Sequence, residues 1–163
     1  MVGKACTANL DCTTALCKAK VCTLLNGCDS VTAIDLTTNP TPTVQFGGSA
    51  GTYTPACLKI VAGGNVTFQG NFSPHPHTGG IVDGTTAAED PASPFYPAQT
   101  SGNSKTYNLP TFGAYPYYCK LHYKLPGYKG VVYVVGAGGG ATATSAKTPS
   151  SVGWVPVPIL VNP

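Results

Sequence analysis

Glycine and proline set the first limit on what this chain can fold into. Twenty glycines and fifteen prolines are spread over 163 residues, and no window holds a sustained apolar stripe at helical spacing between them. Both residues weaken helices and punctuate sheets, so the chain is expected to be all-β. The segments "SVTAIDLT", "TVQFGG", "CLKIVA", "NVTFQG", "SKTYNL", "YPYYC" and "GVVYVV" each alternate or are rich in β-branched and aromatic residues. Turn clusters such as "AGGN" and "TSGN" separate them. Short strands at this rhythm predict a β-sandwich.

Composition divides the chain into three zones: 1–27, 28–136 and 137–163. The first carries Cys6, Cys12, Cys17 and Cys22. So short a stretch cannot bury a core, and cross-links must replace burial. The spacing lacks the C-x2-C pairs usual for a zinc site, so a disulfide knot is expected; its pairing cannot be read from the sequence, and first-to-third with second-to-fourth, Cys6–Cys17 and Cys12–Cys22, is favoured. The pattern resembles small Cys-rich modules of secreted bacterial proteins, a resemblance that implies no activity. Cys28 and Cys57 remain and are paired with each other. The last zone begins as a Gly/Ala/Thr/Ser-rich linker and ends in "WVPVPILV". That apolar end either packs on its own sandwich, is disordered, or docks on a neighbouring molecule and so supports self-association. Pro156 and Pro158 confine it to an edge position if it is a strand.

The formal net charge is +3, and all nine basic residues are lysine. Without arginine there is no bidentate recognition of phosphate, and the charge is too dispersed for a nucleic-acid binder. No apolar run approaches the roughly 18 residues of a membrane span. Seven cysteines point to a secreted, periplasmic or cell-surface setting, with a leader peptide expected outside this numbering.

Three disulfides leave one cysteine over. Cys119 is the natural odd one, because it lies far from the others and three residues before His122. Two further histidines, His75 and His77, stand together in "NFSPHPHTGG". One thiolate with two imidazoles suits copper in an electron-transfer site, and zinc with a fourth ligand is the runner-up. A Cys–His hydrolase would need an orienting acid, and none stands near Cys119 in the sequence.

The stretches "YPYYCKLHYKLPGYKGVVYV" and "VTFQGNFSPHPH" resemble the cupredoxins, and within them the plastocyanin-like group. The resemblance covers about residues 28–136. It implies a Greek-key sandwich, a mononuclear copper site and one-electron transfer without catalysis. Cys119 then corresponds to the thiolate and His122 to the exposed imidazole. The upstream ligand is either His75, within "FSPHP", or His77, and both together are a third possibility; His75 is favoured. The family's axial methionine is absent, since Met1 is the only methionine. Tyr128 of "GYKG" stands in that place, one residue further on. Electrons would pass through the edge of His122. Leu121, Tyr123 and Leu125 would offer a docking patch, and Lys120 and Lys124 would steer a redox partner with an acidic rim. The alternative is a metal-binding or structural subunit of an extracellular assembly with no redox turnover.

Overall fold

The computed structural model describes residues 2–7, 16–48 and 51–136. Cys12 and the 137–163 zone lie outside the described residues, so the Cys12–Cys22 pairing and the docking tail do too. Eleven strands and no α-helix occur among the described residues. They are β1 (Cys17–Lys18), β2 (Val21–Cys22), β3 (Ile34–Asp35), β4 (Thr43–Gln45), β5 (Cys57–Val61), β6 (Gly64–Gln69), β7 (His77–Asp83), β8 (Thr86–Glu89), β9 (Ser104–Leu109), β10 (Gly113–Cys119) and β11 (Lys129–Val135).

Two sheets form the sandwich. The larger runs β3-β5-β11-β10-β7-β8 and the smaller β4-β6-β9. The pairings β3–β5, β5–β11 and β4–β6 are parallel, and the others are antiparallel. Val44, Val66, Phe68, Tyr107 and Leu109 from the small sheet meet Leu58, Ile60, Tyr117, Cys119, Val132 and Val134 from the large one. This is the main core. β11 is apolar on both faces because its other side is covered as well: Val131 and Tyr133 pack under Leu25, Cys28 and Ala33. A strand buried on two sides reads as a continuous apolar run and not as an alternation, which accounts for "GVVYVV".

The segment before residue 28 is tied into the sandwich. Cys6–Cys17 ties the N-terminal segment to β1 of the small β1–β2 hairpin, and Cys28–Cys57 joins the second cluster to β5. Asn26, at φ +47, is the deepest tie. Its buried Nδ2 donates to the carbonyls of Gly80 (3.1 Å), Tyr117 (2.9 Å) and Gly130 (3.4 Å), and its Oδ1 accepts from the Val82 N–H (2.8 Å). One amide therefore clips together β7, β10 and β11. Asparagine tolerates left-handed backbone better than most residues, and "NG" marks the turn.

β7 and β8 do not appear in the sequence pattern. Seven residues of β7 hold Thr78, Gly79 and Gly80 in place of large apolar side chains. The structure shows why: a Cβ on Gly79 would meet the Ser93 side chain, and one on Gly80, at φ +146, would meet the Ala88 carbonyl. Close approach of neighbouring backbone demands small residues here, and small residues erase the strand signal. "SVTAIDLT", conversely, yields only the two residues of β3.

Candidate metal centre

The end of β10 sets the first donor. Cys119 is the last residue of that strand, on its inner face and fully buried. A turn follows at once: the His122 N–H donates to the Cys119 carbonyl at 3.3 Å and the Leu125 N–H to the His122 carbonyl at 2.8 Å. That turn folds the His122 ring back over the sulfur. The loop returns at Tyr128, whose carbonyl accepts from the Cys119 N–H at 2.9 Å.

His75 reaches the same point from the other side. It lies in the bend just before β7, flanked by Pro74 and Pro76. The Pro76 carbonyl accepts from the Lys120 N–H at 2.8 Å, which pins this bend to the residue after Cys119. Nδ1 of His75 is 3.9 Å from Cys119 Sγ, and Nδ1 of His122 is 3.4 Å from it. Ligand atoms of the three residues all lie within 4.8 Å of one another. Cys119 is free of disulfide.

Burial pushes the Cys119 thiol above its ordinary value, and backbone N–H groups of Leu121 and His122 directed at the sulfur oppose this. Burial, then the neighbouring His122, lowers the pKa of His75. The metal-free site therefore favours a protonated thiol and a neutral His75, and a cation must displace the thiol proton to bind. Two imidazole nitrogens around one sulfur fit a soft, borderline cation such as copper. Among the described residues no fourth His, Cys, Asp or Glu joins the group, so the closed four-donor set that structural zinc prefers is not assembled from these residue types.

The structure does not bring His77 to this group. Its ring is wholly buried among Phe68, Phe95, Tyr107 and Tyr117. Its Nδ1 is 3.1 Å from the Tyr53 hydroxyl, and its Nε2 has no hydrogen-bond partner. Burial drives its pKa down to about 3. Tyr128 does sit beside the trio. Its ring is 5.7 Å from that of His75 and 4.9 Å from that of His122.

Of the surface residues named from the sequence, Leu121 and Leu125 are 65% and 50% exposed. Tyr123 is half-buried, its ring against Tyr118 at 5.9 Å. Lys120 is paired with Glu89 at 3.0 Å, which reduces its steering charge. Lys124 lies over the Tyr123 ring at 5.8 Å. The sequence pattern missed the loop that holds Gly47, Gly51 and Tyr53 against the site; "TVQFGG" reads as a strand through Gly48, whereas β4 ends at Gln45.

No family model matches the chain, and neither does any curated protein. Among solved structures it is similar to a purple cupredoxin from Nitrosopumilus maritimus, at 22% identity and TM-score 0.39, over 57% of this chain and 98% of that one. It is also similar to native pseudoazurin from Hyphomicrobium denitrificans, at 19% identity and TM-score 0.41, over 58% and 74%. A Cu-containing nitrite reductase from Thermus scotoductus matches at 23% identity and TM-score 0.39, over 58% of this chain but only 22% of its own. The likeness is one of fold alone, and the site rests on the residues of this chain.

Proposed function

We propose that Cys119, His75 and His122 hold a single copper ion and that the protein is an extracellular or periplasmic one-electron carrier of the cupredoxin type. One observation carries this reading: Nδ1 of two histidines from separate loops faces one buried, unpaired thiol at 3.9 and 3.4 Å. Bound there, copper supplies one-electron redox chemistry. The chain's own residues supply the rest. Cys119 sits where β10 is paired with β7 on one side and its N–H donates to the Tyr128 carbonyl on the other, so the sulfur is held rigidly. The Pro74–Pro76 bend and the 119–125 turn hold the two rings, so little has to move when charge changes. Burial of the sulfur excludes water from it.

His122 is the exit for the electron. It lies in the exposed loop, with Leu121 and Leu125 forming an apolar rim. A small apolar contact suits a partner that must dock briefly and leave, and Lys124 and Lys129 favour one with acidic groups. Disulfides at Cys6–Cys17 and Cys28–Cys57 favour an oxidising compartment.

The test is titration of the metal-free protein with Cu(II), followed by visible absorption, with Cys119→Ser as control. An intense sulfur-to-copper band that saturates at one equivalent and is absent in the variant is expected. No band in the wild type sinks the reading.

A further inference from the structure

We propose that Tyr128 is a positioning residue that buttresses both histidine rings, and that its hydroxyl is docked against Gly51 instead of serving as a metal ligand. This rests on the copper reading above for its spectroscopic arm only.

The ring faces carry the first part. The phenol ring of Tyr128 stacks on His75 at an interplanar angle of 21° and lies tilted on His122 at 39°. The rings of His75 and His122 are themselves 4.8 Å apart. Three rings thus form one cluster, in which the phenol lies nearly parallel to the His75 ring and inclined to that of His122. Packing of this kind fixes ring orientation.

The hydroxyl carries the second part. A Cβ placed on Gly51 would lie 2.5 Å from the Tyr128 oxygen, so the oxygen fills the space a side chain would take. Gly51 has φ +64, and its N–H donates to the Gly48 carbonyl at 3.3 Å. A Cβ on Gly47 would lie against Cδ2 and Nε2 of His75. The sulfur faces the opposite nitrogen of that ring, Nδ1. Among the described residues no hydrogen bond joins the Tyr128 hydroxyl to Sγ; the donors facing the sulfur are Nδ1 of His75 and Nδ1 of His122. Glycine at 51 is what makes this seat available.

The inference yields two readings that separate it from the metal assignment. In the metal-free protein, proton NMR of the His75 and His122 ring hydrogens is expected to show ring-current shifts that persist in Tyr128→Phe and collapse in Tyr128→Leu. Equal shifts in all three proteins would overturn the buttress. In the Cu(II)-loaded protein, Tyr128→Phe is expected to keep the position and intensity of the sulfur-to-copper band, whereas Tyr128→Leu broadens or shifts it. If Tyr128→Phe loses a charge-transfer band or moves the spectrum as far as Tyr128→Leu does, the phenol oxygen is a ligand and the proposal is wrong. If no protein takes up copper, the copper reading fails while the metal-free NMR still decides the buttress.

Discussion

Cys119 and His77 are directly opposed across β10 and β7, yet one side chain faces His75 and His122 and the other ends in an aromatic cage with Tyr53 at 3.1 Å. Burial lowers the His77 pKa from 6.5 to about 3. The folded state therefore refuses a proton that the unfolded chain accepts below pH 6.5. This contribution to stability is complete above pH 6.5 and is lost as the pH falls from there towards 3. The slope is at most about 1.4 kcal/mol per pH unit. Urea unfolding of the metal-free protein between pH 7 and 4 should show it, and His77→Phe should flatten the profile. An unchanged slope in that variant would assign the pH sensitivity elsewhere.

Asn26 offers a sharper test of stability. Its amide serves three carbonyls and one N–H on β7, β10 and β11. Asn26→Ala leaves several buried backbone groups unpaired, and a loss of roughly 2–4 kcal/mol is expected. Denaturant midpoints would measure it, and hydrogen exchange at the Val82 amide should accelerate. A loss comparable to a surface substitution would mean that water replaces the clip.

The Cys28–Cys57 bridge spans 29 residues. Replacing both cysteines by serine should cost roughly 2–4 kcal/mol, mainly by freeing the unfolded chain. The Cu(II) spectrum should not change, because the bridge packs against Val131 and Tyr133 on the side of the large sheet away from the main core. A changed spectrum would show that the outer cluster reaches the metal centre.

Lys120 and Glu89 form a partly exposed pair, so Glu89→Gln should alter stability by less than about 1 kcal/mol. It should still unmask a positive charge beside His122. Electron exchange with a negatively charged small-molecule reagent should speed up at low ionic strength and return to the wild-type rate in high salt. Equal rates at low salt would remove this pair from the steering surface.

The sequence made some of this legible and hid the rest for definite reasons. "SKTYNL" matches β9 residue for residue, and "CLKIVA" and "NVTFQG" lie within a residue of β5 and β6, since each has one face on the main core. Cys28–Cys57 follows from arithmetic once the knot is paired within itself, Cys6–Cys17 is one of several pairings the spacing leaves open, and the structure contains both. β7 was invisible because Gly79 and Gly80 trade side chains for close approach. The choice between His75 and His77 could not be made from spacing. Two residues apart in an extended chain, they would share one side; the Pro74–Pro76 bend breaks that rule, leaving His77 as the first strand residue and His75 outside the strand. Asn26 and Gly51 gave no chemical signal, since an amide clip and an empty seat exist only once distant segments meet.

The seventh cysteine gives the fold a problem of containment. In the disulfide-forming compartment proposed above, an odd thiol can attack the bonds already made. In the folded protein Cys119 is out of reach at the inner end of β10. Its protection therefore comes from strand pairing and from burial, which also holds the thiol above its ordinary pKa. Pairing of β10 is thus what keeps this sulfur away from the Cys6–Cys17 and Cys28–Cys57 bonds.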